Sequence, residues 1–464
     1  MLTAMLLTIL LIWLFMRPLY WRNRGVNSRL PWPLVGNCWS AFYLSTVQFW
    51  ERVYHSSVEP YIGIFFFTRT ALVLRDPQII TEVLEKKAPL FNSHGMYINR
   101  RDPMGKSLFH LNGSDWKEAR SKLSTYFSPV KVKSMSEIAE GSAERLLNHL
   151  GDQPGIDVEI HSAAMKLSID VTAAALFGLE SNVFQEGDDS EYFIASKDLN
   201  SPLSMLKVFI NFVSPRLFEL FKLNSFSTRT NEFISSMVRG AMEACLDAKS
   251  LQQPLNFIQG MVQLKEKDKN MDKFAVSQGA VLWVGGVETT AATLSFCLYE
   301  LAQDPCLQEQ LRDLSSPSTP QLLRQVIAET LRKYPPFSLI SRCCTTDCFL
   351  ESGLFLEKGT LVFIPAYSLH HDPNIYPEPE SFQPGREYPR GAYLPFGSGP
   401  RTCIGKRMAE TVLELTINKL LQRYRFLPSA KSSTPLTLSP RSFFTSAEGG
   451  IWLKVERISS VTTT

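Results

Sequence analysis

The sequence predicts a mainly α-helical protein, a large helical body with small peripheral β-sheets. A helical period runs through most of the chain from about residue 115. One apolar stretch, Met271 to Ala302, far exceeds the 11 or 12 residues usual for a globular helix. Short strand-like runs appear only near residues 61–74, 349–364 and 443–453. Of the 464 residues 44% are hydrophobic and 20% charged, which suits one large core.

The N-terminus stands apart. Met1 to Met16 is nearly all apolar, Arg17, Arg22, Arg24 and Arg29 follow, and no acidic residue precedes Glu51. Sixteen helical residues reach about 24 Å, and counting on to Trp21 approaches a bilayer core of ~30 Å. Residues 1–21 are therefore expected to be a single-pass anchor contacting lipid, with Tyr20 and Trp21 at the interface. The positive flank puts the body on the cytosolic side. A cleaved signal peptide fits less well, because a charged n-region and a small-residue cleavage site are both missing. Residues 22–36, with Leu-Pro-Trp-Pro-Leu-Val-Gly at 30–36, are expected to form a basic, proline-stiffened stem. Residues 37–460 form the body.

Within the body, Tyr61–Phe66 and Ala71–Leu74 predict a hairpin, and Asp76-Pro77 starts a helix over 79–85. Helices follow at 138–150, 161–177, 231–248 and 271–302. The last is apolar all round and so buried. Its Gly285-Gly286 pair permits a close approach to the backbone or a kink. Pro335-Pro336 end a further helix. Strands are expected at 349–356 and 360–364, an irregular proline-rich stretch at 372–400, and a closing helix at about 403–424. A net charge of +3, with no long basic run, gives no sign of nucleic-acid binding. The eight cysteines are scattered, as in a reducing compartment, and those at 343, 344 and 348 lack partners for a zinc site.

The chemistry concentrates in Phe396-Gly397-Ser398-Gly399-Pro400-Arg401-Thr402-Cys403-Ile404-Gly405. This glycine-rich loop presents one cysteine just before a helix, where backbone N–H groups favour the thiolate. Taken alone, one such cysteine reads better as a buried cysteine in a turn. The segment resembles the haem-binding pattern of the cytochrome P450 family, F-x-x-G-x-R-x-C-x-G, with Phe396, Gly399, Arg401, Cys403 and Gly405 at its fixed positions. The resemblance implies the P450 fold and haem b with Cys403 as the axial iron ligand.

Other segments extend the likeness. Glu329-Thr330-Leu331-Arg332 is similar to the family's E-x-x-R motif, with Arg386 as the third member of its ion cluster. Pro384-Gly385-Arg386-Glu387 departs from the usual Pro-Glu-Arg-Phe. Trp116 and Arg120 match W-x-x-x-R and, with Arg342, are implied propionate partners; on their own they read as a core Trp and a surface Arg. Gly285-Gly286-Val287-Glu288-Thr289-Thr290 is similar to the oxygen-binding segment, which implies that Glu288 and Thr289 deliver protons to oxygen. The alternative is a Thr289 hydroxyl bonded back to a helix carbonyl. By resemblance the substrate pocket draws on residues 108–111, 281–284, 337–340 and 443–444. Only 24 residues separate Asp304 from Glu329, where family members have roughly twenty more, a loss a surface loop tolerates.

The N-terminal segment and these motifs look most like insect microsomal members. That implies an endoplasmic-reticulum monooxygenase inserting one atom of O2 into a small apolar substrate, with electrons from NADPH-cytochrome P450 reductase. The alternatives are a non-oxygenating haem-thiolate isomerase and a low-turnover haem-binding sink or sensor.

Overall fold

The computed structural model describes residues 19–97, 99, 102–151, 155–247, 256–265, 271–440 and 442–458. Residues 1–18 of the expected anchor lie outside them.

Strands β1 (Tyr61–Phe66) and β2 (Arg69–Leu74) pair antiparallel, as the alternating run predicts. Their sheet continues through β7 (Leu361–Ile364) to β4 (Ile340–Cys343), in the order β1-β2-β7-β4. β2 and β7 are parallel, the other pairs antiparallel. A second sheet orders β3 (Ile156–Glu159), β9 (Trp452–Arg457) and β8 (Tyr424–Pro428). The single strand expected at 349–356 is instead a hairpin of two short strands, β5 (Cys348–Phe349) and β6 (Phe355–Leu356), turned at Gly353 with φ +83°. Phe443-Phe444 form no strand.

The helical body includes α1 (Gly113–Ser124), α2 (Pro129–Leu150), α3 (Ile160–Thr172), α4 (Met271–Gln303), α5 (Thr319–Lys333) and α6 (Lys406–Arg423). Every residue of α4 from Thr290 to Ala302 is buried, which explains its apolarity on all sides. Both α4 and the α3 stretch Ile160–Phe177 are apolar and long enough to cross a bilayer. Both are packed as core instead, against each other. The two glycines of α4 have separate roles. A Cβ on Gly286 would lie 2.8 Å from the Thr172 hydroxyl, so this residue lets α3 and α4 meet closely. A Cβ on Gly285 would meet open space.

Trp21 corrects the expected domain boundaries. It is fully buried, donates its indole N–H to the Ile64 carbonyl at 3.0 Å, and covers Gly63, where a Cβ would fall 2.5 Å from its ring. The stem also belongs to the body: Val26 is buried, Ser28 bridges to Gly63 and Gly36 to Phe66. The apolar surface of the first sheet recruits these residues before Asn37 is reached.

Candidate active site

The cysteine loop is fixed from three directions. The Cys403 N–H donates to the Phe396 carbonyl at 2.9 Å, closing the loop on itself. Gly399 has φ +70°, and a Cβ there would lie 1.9 Å from the Leu84 carbonyl oxygen, so only glycine allows the loop to rest on the turn at 82–86. From that turn Glu85 accepts from Ser398 at 2.5 Å and pairs with Arg390. The closing helix starts at Lys406 with Gly405 as its N-cap, three residues later than the sequence suggests. Cys403 therefore sits in the approach to α6. Its side chain is accessible, yet the surrounding fold dehydrates it and raises the thiol pKa. The N–H groups of Gly405 and Lys406 and the charge of Arg120 pull in the other direction, toward thiolate.

Three arginines are coupled in this region: Arg120 acts on the Cys403 sulfur, and Arg401 feels the charges of both Arg120 and Arg342. Arg401 stacks over Trp116, its guanidinium carbon 4.6 Å from the ring centroid. It donates to the carbonyls of Leu108, Phe109 and Leu111, and its Nε is buried without a partner. Arg342, in β4, is buried and touches Ser341 O at 2.8 Å and His94 Nδ1 at 3.3 Å. Arg120 senses the charge of Cys403. Burial lowers the pKa of all three, Arg342 to about 10 and Arg401 to about 9, and for Arg401 the charges of Arg342 and Arg120 add to it. Among the described residues no carboxylate is ion-paired with any of them. A buried cluster of cations without an anion calls for an anionic ligand. With the Cys403 thiol in the same region, the residues present fit a haem: Cys403 would ligate its iron and the arginines would pair with its propionates.

The second break in burial lies on α4. Gly285 is exposed and Thr289 partly so, just before the fully buried run from Thr290 to Ala302. The Thr289 hydroxyl donates to Gly285 O at 2.6 Å. Glu288 is buried and turned elsewhere, its Oε1 meeting His161 Nε2 at 3.2 Å and Asn200 Nδ2 at 3.1 Å. Its Oε2 is buried with no partner. The two residues expected to relay protons are therefore sequence neighbours whose side chains bond to different groups. Of the expected pocket segments, Val284 and Phe444 line one small cavity beside Glu288. Phe337 packs edge-on to Phe443 and Phe444 at 5.8 and 4.9 Å.

The ion cluster forms as expected. Glu329 and Arg332 are both fully buried and joined at 2.9 and 3.0 Å, and Arg386 reaches Glu329 at 3.2 Å. Two residues after Arg386, where the sequence departs from the family pattern, Tyr388 bonds Glu329 at 3.2 Å and packs on Tyr393 at 4.3 Å. His370 is a further residue of this region, outside the expected site residues. It accepts from the Leu394 N–H at 2.9 Å and its Nδ1 lies 3.0 Å from Arg332 O, tying α5 to the run leading into the cysteine loop.

The cytochrome P450 family model matches residues 27–454. The chain belongs to the cytochrome P450 family. This P450 is 32% identical over 492 residues to "Probable cytochrome P450 6a14" of Drosophila melanogaster, covering 95% of each chain. It is 30% identical to "Cytochrome P450 6l1" of Blattella germanica, over 95% of this chain and 93% of the relative. The P450 is accordingly a mainly α oxidoreductase, a haem-thiolate monooxygenase resembling insect members.

Proposed function

We infer that this P450 is a membrane-bound enzyme of the endoplasmic reticulum. It holds haem b through Cys403, draws electrons from NADPH through a flavoprotein reductase, and oxidises a small apolar molecule. The accessible Cys403 thiol in the same region as three cations that lack a carboxylate carries this reading. Bound haem would supply the iron at which dioxygen is activated, with the thiolate pushing electron density toward it. The chain's own residues do the rest. Trp116, Arg120, Arg342 and Arg401 would hold the propionates, while Phe396, Gly399 and Gly405 shape the loop that presents the sulfur. Glu329 and Arg332 on α5, with Arg386 from the irregular stretch after it, brace that region. Glu288 and Thr289 manage protons on α4, and this need for protons favours an oxygenase over an isomerase.

Membrane attachment is supported by an exposed apolar face as well as by the N-terminal run. Leu203, Leu206, Leu220 and Phe221 are between 52% and 69% exposed. They connect through Phe209, Phe67 and Phe42, whose rings lie 5.4 and 6.3 Å apart, to exposed Trp39 and Trp32. A contiguous apolar surface of this kind marks a membrane or protein contact.

The test is Cys403→Ser. The reduced, CO-treated protein is expected to show the long-wavelength Soret band of thiolate-ligated haem, and the variant to lose both that band and NADPH-driven turnover. An unchanged band in the variant removes Cys403 as the ligand.

A further inference from the structure

On the side of α4 where Glu288 points lies a cavity of about 210 Å³. Its walls include His161 and Ser162 of α3, Glu159, Lys197 and the chain at 446–451. The Lys197 side chain is 57% exposed, so the cavity meets bulk water there. The volume holds several waters. His161 forms the partition between this water and Glu288.

The hydrogen bonds fix what His161 carries. Ser295 Oγ commits its proton to Ala291 O at 2.6 Å and leaves a lone pair toward His161 Nδ1 at 3.5 Å. Nδ1 is then the protonated nitrogen. Nε2 and Glu288 Oε1 lie 3.2 Å apart, and two lone pairs cannot face each other at that distance, so one proton lies between them. Asn200 holds the same Oε1 from the other side, and its own Oδ1 accepts from Ser442 and Phe443. Glu288 Oε2 stays free.

We propose that His161 is the solvent-side proton partner of Glu288, taking protons from the water of this cavity and passing them to the carboxylate. In the step, the Nε2–H bond of the imidazolium breaks and an O–H bond forms on Glu288. The carboxyl group turns to release that proton on the Thr289 side, and a hydronium ion of the cavity then returns a proton to the imidazole ring and is left as water. One proton moves inward and no electron is transferred. His161 is a positioning and proton-carrying residue with no contact to substrate. The charged groups facing it are Glu288 from α4, Glu159 at the start of α3 and Lys197 from the helix Glu191–Lys197. Burial lowers its pKa, but the hydrogen bond and charge of Glu288, with Glu159, outweigh burial and Lys197, and the net shift is upward. The inference rests on Glu288 acting as the proton donor in oxygen activation.

The experiment uses the haem-loaded full chain with purified NADPH–P450 reductase and no added substrate. It reads the share of NADPH electrons released as hydrogen peroxide, the solvent isotope effect on NADPH oxidation, and histidine titration by 15N NMR. His161→Gln is expected to keep the thiolate CO band, to slow water-forming turnover by about a hundredfold, and to raise the peroxide share. In the wild type one histidine should titrate above the ordinary value. That signal should disappear in His161→Gln and move down in Glu288→Gln. A His161→Gln enzyme with wild-type peroxide share and isotope effect overturns the inference while leaving the enzyme's function intact. If His161→Gln loses the CO band, the wild-type titration decides, and a His161 signal indifferent to Glu288→Gln overturns it. A wild-type protein without the thiolate band fails the functional reading first, and this inference with it.

Discussion

Thr289 donates its hydroxyl to the carbonyl of Gly285, one turn earlier in α4, at 2.6 Å. The bond is compatible with a proton role only if the hydroxyl can leave that carbonyl. Thr289→Ala removes the hydroxyl from a bond that adds little to helix stability. Its thermal midpoint is expected to stay near wild type, while the peroxide share of NADPH turnover rises severalfold. Thr289→Ser should restore the wild-type share. If the alanine variant partitions electrons as the wild type does, the Thr289 hydroxyl has only the back-bonding role.

Glu329→Gln leaves the Arg332 charge uncompensated at a site with no exposure, and Arg332→Ala removes the fully buried partner and leaves Glu329 only the 3.2 Å ion pair with Arg386. Breaking such a buried pair costs about 3–5 kcal/mol. Arg386→Ala should cost less, about 1.5–3 kcal/mol as for a lost charged hydrogen bond, because Arg332 still satisfies Glu329. Denaturant titration followed by haem absorbance measures the order. Arg386→Ala matching Arg332→Ala would contradict it.

Much of this was legible in the sequence. The hairpin, the long buried helix and the Glu329–Arg332 pair each follow from local periodicity or spacing, which the sequence carries directly. What was not legible depends on contacts across the chain. Trp21 reads as an interfacial aromatic until the sheet edge at Ile64 offers its indole an acceptor. Glu288 and Thr289 read as a pair because they are adjacent. Neighbours on a helix point about 100° apart, and His161, far away in sequence, took the carboxylate. Tyr388 adds a hydrogen bond to Glu329 from outside the motif, which no motif registers.

Gly399 and Gly405 are expected to separate. Gly399→Ala forces a side chain into φ +70°, a strain of ~1–3 kcal/mol, and drives its Cβ into the Leu84 carbonyl. The loop must lift, and the purified variant should contain little haem. At Gly405 a Cβ would sit 4.0 Å from Cys403 Sγ, an ordinary contact, and φ is −86°. Gly405→Ala should retain haem with a modest shift of the Soret band. Pyridine haemochrome assay of both variants measures the contrast. Equal haem retention would show that the rest of the loop on the turn at 82–86 is dispensable.

Stability should fall on acidification through buried histidines. Burial pushes His370 down to about 3, with the neighbouring His371 and Arg332 adding to it, and pushes His371 and His110 down to about 4. A base with a depressed folded-state pKa is neutral in the native protein while the unfolded chain takes up a proton near 6.5. Their contribution is complete above about pH 6.5 and is lost as pH falls toward 4, each group costing up to about 1.4 kcal/mol per pH unit. The thermal midpoint should therefore drop steadily below about pH 6.5. His370 adds a structural penalty, because an imidazolium can no longer accept the Leu394 N–H. His370→Gln cannot titrate, so its midpoint should start lower at neutral pH yet fall less steeply with acid. A variant whose acid slope equals that of the wild type would show that His370 is already protonated in the folded protein, and that the Leu394 contact is not the hydrogen bond described.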